Sequence, residues 1–380
     1  MSTRPFRRQL SAWLVVLAAM SFLIAGAPPV THACTAITLK AGDGAVLLGR
    51  TMEWGSFDLN GRIIIIPRDH VFKGRTPDGR GGYRWKGKYA VVGTDMLEKE
   101  VLADGFNEKG LALALLYHPG YAEYARYAPD RAGETMGPTD VAQYLLTTCA
   151  TVEDVRAAMK KVRVVPVVEE ALGFPPPVHF IIAEPSGKRV VIEFKQGETK
   201  IFDAPLGVMT NAPAYDWHIT NLRNYVNLSQ VALPDKRIED MEFAPLGAGS
   251  GMIGLPGDFT PPSRFIRAVA FTASARRTAD GPETVYEMFR ILDNFNLPLG
   301  GAEGSDHGKT ASAMRSSTIW TVVYDTKNMV MYYHTQHNRR VRRVNAGAID
   351  LDGLKGVIRT TPLDLRKQQD FEDVTVSRVR

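Results

Sequence analysis

Short runs with the two-residue period of β-strands fill most of the chain, and helical periods separate them into blocks. Strand-like runs lie between residues 34 and 117, 178 and 203, and 318 and 344, whereas residues 139–162 and 263–294 have helical spacing. Each amphipathic helix needs a sheet face that covers its apolar side. The pattern therefore predicts an α+β fold of four layers, an αββα sandwich in which two antiparallel sheets lie between helix layers.

The first strands form a predicted hairpin. Residues Cys34 to Leu39 and Ala45 to Met52 have strand composition, and the turn residues Ala41-Gly42-Asp43-Gly44 separate them. Near the middle of the chain, Val178 to Ala183, Arg189 to Phe194 and Lys200 to Asp203 predict a meander. The Pro-rich segment 234–262 carries several large apolar residues, so we interpret it as an ordered excursion rather than a domain boundary.

Residues 1–33 have the composition of a secretory signal peptide. Arg4, Arg7 and Arg8 precede an apolar run from Ala12 to Ala27, no acidic residue is present, and a small residue stands at Ala33. An uncleaved membrane anchor is the alternative interpretation, although the run is short for a span. We predict cleavage before Cys34, a periplasmic or secreted protein without a stable membrane anchor, and one domain over residues 34–380.

Net charge argues against a nucleic-acid-binding protein, and cysteine content argues against a fold stabilised by many disulfides or by a four-thiolate zinc site. Removal of the three N-terminal arginines lowers the formal net charge from +5 to +2, which leaves little support for nucleic-acid binding. Cys34 and Cys149 are the only cysteines in the sequence. Two are too few for a disulfide framework or a four-thiolate zinc site, although a single bridge between them stays open. We therefore expect a fold held by its apolar core, with no metal and no cofactor.

Cys34 becomes the first residue of the chain if cleavage follows Ala33. A terminal cysteine carries its own α-amine within a few ångström of its thiol, and an amine with a pKa near ~8 can take the thiol proton at neutral pH. One residue would then supply both nucleophile and base. Two other interpretations stay open: a buried core cysteine, or a lipidated cysteine, which the preceding His32 makes a poor candidate.

Several blocks around and beyond Cys34 resemble one family. They are Cys34-Thr35-Ala36-Ile37, Gly49-Arg50-Thr51-Met52-Glu53-Trp54, Asp104-Gly105-Phe106-Asn107-Glu108-Lys109-Gly110-Leu111, Thr210-Asn211-Ala212-Pro213 with Asp216-Trp217-His218, and residues 254–261 with Ser263-Arg264-Phe265. In this order they resemble the choloylglycine hydrolase family, which comprises bile salt hydrolases and penicillin V acylases. The resemblance implies an N-terminal-nucleophile hydrolase that cleaves linear amides of small N-acyl substrates through an acyl-enzyme, commonly as a homotetramer.

The resemblance also implies roles for individual residues. Cys34 resembles the nucleophile, Arg50 the cation beside it, Asn211 the oxyanion-hole side chain and Arg264 a second arginine of the pocket. Glu53 stands where the family usually has an aspartate that accepts from the α-amine. Its carboxylate keeps the charge on a side chain that is longer by one methylene, so the geometry of that contact is an open question.

Tyr117 aligns with a position where bile salt hydrolases often have asparagine and penicillin V acylases have tyrosine. A phenol offers one donor and an apolar face to an aryl-acyl group, which favours penicillin V-like substrates. Bile salts and acyl-homoserine lactones stay open as alternatives. An inactive lipid-anchored or secreted binding protein of the same fold is the alternative from a different functional class.

Overall fold

The computed structural model describes residues 34–55, 57–302, 317–369 and 371–372, so the predicted signal peptide lies outside the described residues. The strands of the first half are β1 Thr35–Lys40, β2 Val46–Trp54, β3 Arg62–Ile66, β4 Val71–Lys73, β5 Arg84–Lys86, β6 Val91–Met96, β7 Val101–Asn107, β8 Ala112–Tyr117, β9 Thr135–Met136 and β10 Arg163–Val164. Those that follow are β11 Val178–Ala183, β12 Arg189–Lys195, β13 Glu198–Asp203, β14 Val208–Met209, β15 Lys236–Ile238, β16 Met241–Phe243, β17 Ser317–Asp325, β18 Val330–Thr335, β19 Arg342–Asn345 and β20 Arg359–Pro362.

Five α-helices lie between these strands in the described ranges. They are α1 Val141–Thr148, α2 Val152–Met159, α3 Tyr215–Leu222, α4 Pro261–Ser274 and α5 Gly281–Leu292. Helix α2 begins as its sequence predicts, because Thr151 Oγ1 accepts a hydrogen bond from Asp154 N at 3.1 Å. None of the helices described combines the length and apolar character that crossing a membrane requires.

Two large antiparallel sheets form the centre of the molecule. The six-stranded sheet has the order β14-β1-β2-β17-β18-β19, and the eight-stranded sheet has the order β13-β12-β11-β8-β7-β6-β3-β20. Helices α4 and α5 pack on the six-stranded sheet, and α1 packs on the eight-stranded sheet. The predicted αββα sandwich is confirmed.

Strand β8 illustrates how the layers are built, because every one of its side chains is buried. Ala112, Ala114 and Leu116 belong to the core that the two sheets share. Leu113 and Leu115 point the other way and belong to the core beneath α1 and α2. Because successive strand residues face opposite sides, a strand covered on both sides has a continuous apolar sequence.

Helix α5 lies close to β2, and Gly49 permits the approach. A Cβ atom added at Gly49 would lie 2.7 Å from the side chain of Met288 and 2.9 Å from that of Leu292. This contact fixes the helix against the strand that carries Arg50 and Glu53. The helix layer therefore supports the back of the strand that bears two of the predicted site residues.

Three parts of the structure differ from the sequence-based expectations. Strand β7 contains Asp104 and Gly105, which the strand pattern did not predict, and helix α3 was not predicted at all. The segment 234–262 is ordered, as predicted, and includes the hairpin of β15 and β16. However, Phe243 and Ile253, two of the large apolar residues on which that prediction rested, are exposed.

Candidate active site

Cys34 immediately precedes β1, which pairs with β2 on one side and β14 on the other. The residue is 3% exposed. Its backbone nitrogen donates a hydrogen bond to Asn211 Oδ1 at 2.8 Å, and its carbonyl oxygen accepts one from Arg264 Nη1. Both ends of the residue are therefore fixed by side chains that arrive from later parts of the chain.

Arg50 brings a guanidinium to the sulfur of Cys34. Its Nη2 lies 3.1 Å from Cys34 Sγ and 3.2 Å from the carbonyl oxygen of Leu115. The β1–β2 hairpin produces this contact, because Ala36 pairs with Arg50 in the register. Burial alone lowers the pKa of Arg50, but the charges of a Cys34 thiolate and of Asp104 outweigh it and raise this pKa above its ordinary value.

Asp104 belongs to one of the sequence blocks that resemble the family, but no role was predicted for it. Its Oδ2 accepts from Arg50 Nη1 at 2.9 Å, and neither side chain of this pair is exposed. Its Oδ1 accepts from Thr94 Oγ1 at 2.5 Å and from the hydroxyl of Tyr324. The available signal was physical: a buried arginine requires a carboxylate partner, and Asp104 lies between apolar strand residues.

The side chain of Asn211 links Cys34 to its surroundings. Asn211 Oδ1 accepts from Arg264 Nη2 at 2.6 Å as well as from Cys34 N, and Asn211 Nδ2 donates to the carbonyl oxygen of Tyr117 at 2.7 Å. One of the two N–H groups of this amide is therefore directed at Tyr117. Burial lowers the pKa of Arg264 to about 10 despite the opposing charges of Glu53 and Cys34, so this arginine stays charged near neutral pH.

Two buried histidines hold the backbone on either side of this asparagine. Nε2 of His218 lies 2.9 Å from Asn211 O, and Nε2 of His179 lies 2.9 Å from Thr210 O. Since a carbonyl oxygen only accepts, each Nε2 carries the proton in these contacts. Burial lowers the pKa of His179 to about 3, which keeps its imidazole neutral.

Glu53 lies on β2 beside Cys34, but Cys34 N donates to Asn211 rather than to this carboxylate. Glu53 Oε1 accepts from Thr318 Oγ1 at 2.7 Å, whereas Oε2 is buried without a hydrogen-bond partner among the described residues. Burial raises the pKa of Glu53 to about 7, against the opposing effects of the Arg264 charge and the Thr318 hydrogen bond. The Cys34 nitrogen in this structure is a peptide N–H with one proton, so a contact between a free Cys34 amine and Glu53 stays a prediction.

A narrow apolar cavity of about 50 Å³ opens onto these residues. Its lining includes Cys34, Glu53, Met52, Trp54, Leu59, Met96, Leu97, Leu115, Tyr117, Leu172 and Val178. The ring of Tyr117 is edge-on to that of Trp54, with 6.2 Å between their centroids. The structure thus brings Cys34, Arg50, Glu53, Asn211 and Arg264 together and places Tyr117 on the wall of the cavity beside them.

His118, His179 and Glu193 form a buried cluster whose composition could suggest a metal site. The two imidazole rings are stacked, with 4.0 Å between their centroids and 8° between their planes. The lone pair of a ring nitrogen lies in the ring plane, and a metal bound at ~2.0 Å would need to lie in both planes. Parallel rings at this separation do not share such a point, so the observed arrangement does not form a two-histidine metal site.

The comparisons with known proteins identify the family to which this geometry belongs. The family model for linear amide C–N hydrolases, choloylglycine hydrolase family, matches residues 34–359. The chain belongs to this family. This choloylglycine hydrolase family member is 33% identical over 326 residues to a bile salt hydrolase/transferase of Clostridium perfringens, covering 84% of the chain and 94% of that protein. It is 31% identical over 325 residues to a bile salt hydrolase/transferase of Lactiplantibacillus plantarum, with 84% and 94% covered.

Solved structures agree with this assignment of the choloylglycine hydrolase family member. A variant of the conjugated bile acid hydrolase from Clostridium perfringens superposes with a TM-score of 0.76 at 29% identity, covering 90% of this chain and 100% of that one. A penicillin V acylase from Agrobacterium tumefaciens shares the fold, with a TM-score of 0.70 at 22% identity over 87% of this chain and 92% of that one. The protein is accordingly a hydrolase that acts on carbon–nitrogen bonds in linear amides.

Proposed function

We propose that the protein is an exported amidase whose mature N-terminal residue is Cys34, and that it cleaves N-acyl amides through a thioester. The observation that carries the proposal is the 3.1 Å contact between Arg50 Nη2 and Cys34 Sγ at the end of an apolar cavity. A guanidinium at this distance can stabilise the negative charge that the sulfur carries when it attacks as a nucleophile. Cleavage before Cys34 would place its amine at the nitrogen position that now faces Asn211 Oδ1.

Acylation follows from these positions. The Cys34 amine takes the thiol proton, and the sulfur attacks the acyl carbon to form a tetrahedral intermediate. Asn211 Nδ2 has two N–H groups, and the one not directed at Tyr117 is suited to the developing oxyanion. The resulting ammonium then donates its proton to the leaving nitrogen, the C–N bond breaks, and a thioester on Cys34 remains.

Deacylation uses the same groups in reverse roles. Water attacks the thioester carbon while the Cys34 amine accepts a proton from it. The C–S bond breaks, the ammonium returns its proton to the Cys34 sulfur, and the carboxylic acid is released. Arg264 holds the Cys34 carbonyl oxygen and Asn211 Oδ1, so it keeps nucleophile, base and oxyanion donor in one arrangement through both steps. No metal or cofactor is needed for this sequence.

The cavity favours acyl groups narrower than a steroid. Its volume of about 50 Å³ is small beside the ~300 to 1,000 Å³ of ordinary ligand pockets, and the aromatic residues Trp54 and Tyr117 line its wall. A flat aryl-acyl or slender alkyl-acyl group suits such walls. We therefore propose penicillin V-like substrates, with bile salts and acyl-homoserine lactones as alternatives that the family admits.

Hydrolysis of penicillin V, glycocholate and an N-acyl-homoserine lactone by the mature protein tests this proposal. We expect the largest kcat/KM for penicillin V. The Tyr117→Asn variant should lower the preference for penicillin V over glycocholate by about tenfold, whereas Tyr117→Phe, which keeps the ring, should retain it. A wild-type enzyme that prefers glycocholate would overturn the substrate assignment. A wild-type protein that hydrolyses none of the three would contradict the proposed reaction on these substrates.

Mass spectrometry of the exported protein tests the proposed N-terminus. An unmodified Cys34 amine is required for the mechanism, whereas a diacylglyceryl Cys34 would favour a lipid-anchored protein in which this amine is blocked. A form that retains one extra residue before Cys34 should be inactive, because its nitrogen would be an amide without basicity. Full activity of that form would require a base other than the amine.

We also propose that the protein assembles as a homotetramer, with the segment 226–253 as a contact surface. Val226, Met241 and Leu246 are exposed apolar residues of this segment, as are Ile238 and Ile253. Several large apolar side chains exposed in one segment are typical of a surface that is covered on association. Sedimentation should give a tetramer for the wild type and a smaller species for Leu246→Asp, and a monomeric wild type would contradict the assembly.

A further inference from the structure

Residues 359–369 contact Asp58 and Gly61, which flank the cavity-lining residue Leu59, and lie almost entirely beyond the stretch that the family model matches. We call them the C-terminal strap. The strap begins as β20, which pairs antiparallel with β3 at the edge of the eight-stranded sheet. Thr361 pairs with Ile63 and Pro362 with Arg62, so the strap next reaches the residues that precede β3.

Those residues, 57–61, form a turn that contributes Leu59 to the wall of the cavity, and we call them the cavity loop. Leu59 is 1% exposed and lines the cavity. Its carbonyl oxygen accepts from Leu97 N at 2.7 Å, and Leu97 lines the cavity as well. The turn is tight, because Asp58 Oδ1 accepts from Asn60 N at 2.9 Å and Asn60 has a φ of 47°.

The strap holds the cavity loop on both sides of Leu59. Before it, Lys367 Nζ forms an ion pair with Asp58 Oδ2, the second oxygen of the carboxylate that closes the turn. After it, Leu363 N donates to Gly61 O at 3.0 Å. A Cβ at Gly61 would lie 2.9 Å from Leu363 Cδ1, so strap and loop are in direct contact there.

The strap is itself fixed to the other sheet. Arg342 Nη1, on β19, donates to Leu363 O at 2.7 Å and to Asp364 Oδ1 at 2.8 Å. The guanidinium of Arg342 also lies 4.5 Å from the ring centroid of Tyr333. Leu363 is 4% exposed and belongs to the core that the two sheets share. The cavity loop is thus tied through the strap to the six-stranded sheet.

We propose that the C-terminal strap is a specificity-determining segment, because it fixes Asp58 and Gly61 and thereby sets how far Leu59 closes the acyl cavity. The inference rests on the proposed amidase function. A loosened strap releases Leu59 and lengthens the space beyond Cys34. The kcat/KM of substrates with long acyl chains rises with this change, whereas that of substrates whose short chains do not reach Leu59 is unaffected.

Hydrolysis of N-acetyl-, N-hexanoyl- and N-dodecanoyl-glycine by full-length mature variants measures this effect. Asp58→Asn retains the Oδ1 acceptor for Asn60 but loses the charge that attracts Lys367. We expect Asp58→Asn and Lys367→Gln to raise the dodecanoyl-to-acetyl ratio of kcat/KM about twofold to fivefold, and Leu363→Ala about tenfold. The double variant Asp58→Asn/Lys367→Gln should equal either single variant, because both remove one ion pair.

Lys327→Gln is the matched control. It removes another exposed lysine–aspartate pair, to Asp43 at 2.9 Å, at the far end of β2 from Trp54. Leu145→Ala in α1 is the control for general destabilisation by Leu363→Ala. Both controls should leave the ratio unchanged. An unchanged ratio in Asp58→Asn, Lys367→Gln and Leu363→Ala, or an equal change in the controls, would overturn the proposal. Absent hydrolysis of any amide by the wild type would count against the amidase function instead.

Two measurements remain informative without turnover. Amide hydrogen exchange of residues 57–61 should quicken in Leu363→Ala but not in Leu145→Ala. The affinity for dodecanoate relative to that for hexanoate should be higher in Leu363→Ala than in the wild type. Tryptophan fluorescence, to which Trp54 in the cavity wall contributes, measures this binding. Unaltered exchange together with unaltered relative affinities would refute the role of the strap, whatever the catalytic result.

Discussion

Replacement of Asp104 by asparagine tests whether this carboxylate holds Arg50 against the nucleophile. Asparagine is nearly isosteric, and its Oδ1 can still accept from Thr94 and Tyr324. Its amide nitrogen, however, faces Arg50 Nη1, which is a donor. The substitution therefore leaves a fully buried guanidinium without its carboxylate partner, and removal of one partner from a buried pair costs about 3 to 5 kcal/mol of unfolding free energy.

The effect on catalysis follows from the contact to sulfur. If Arg50 moves from its position 3.1 Å from Cys34 Sγ, the charge-assisted hydrogen bond is lost, which is worth about 1.5 to 3 kcal/mol or roughly 10- to 100-fold in kcat. Urea denaturation and alkylation of Cys34 by iodoacetamide measure the two effects separately. Cys149 does not interfere near neutral pH, because burial raises its pKa to about 11.

Asp95→Asn is the matched control for Asp104→Asn. Asp95 lies on β6 of the same sheet and pairs with Arg62 at 2.5 Å, but Arg62 is partly exposed and can turn to solvent. Asp95→Asn should lower the unfolding free energy by less than Asp104→Asn does, and it should leave the rate of Cys34 alkylation unchanged. Wild-type stability and wild-type alkylation in Asp104→Asn would refute the argument that Asp104 positions Arg50.

Three further predictions concern the same site. Glu53→Gln should remove a pH dependence of the unfolding free energy. Burial raises the pKa of Glu53 to about 7 from 4.5, so the folded state keeps the carboxyl proton to a higher pH than the unfolded state does. The unfolding free energy of the wild type therefore falls as the pH rises from about 4.5 to about 7. Between about pH 5 and about pH 8, the unfolding free energy of Glu53→Gln relative to that of the wild type should rise by on the order of 3 kcal/mol, as denaturation at both pH values would show. Asn211→Ala should lower kcat about 100-fold with little change in KM, as steady-state kinetics would show. Because burial lowers the pKa of His179 to about 3, the unfolded chain binds more protons below about pH 6.5, and acid titration should unfold His179→Gln at a lower pH than the wild type.

The part of the site that local patterns predict is the part made by one hairpin. The contact between Cys34 and Arg50 follows from one turn and the register of the two strands that it joins. Because the two residues are close in sequence, strand periodicity already places them together. Asn211 and Arg264 were expected from the family resemblance, and their mutual contact spans 53 positions. No periodicity in one segment encodes a contact of that range.

Asp104 and the cavity loop show what sequence patterns leave out. A charged residue inside an apolar run suggests a strand end or an exposed position, and only the arrival of Arg50 from the other sheet makes burial of Asp104 favourable. Likewise, the position of Leu59 depends on Leu363, which lies about 300 residues away along the chain. In both cases the decisive partner is supplied by tertiary packing rather than by neighbours in sequence.

The central position of β17 controls when the nucleophile acquires its environment during synthesis. β17 pairs with β2 along nearly the whole length of that strand, and it supplies both Tyr324 to Asp104 and Thr318 to Glu53. A nascent chain that has not yet reached residue 325 cannot complete these contacts. Cys34 is among the earliest of the site residues to be translated, yet the buried partners of Asp104 and Glu53 beside it arrive with one of the last strands.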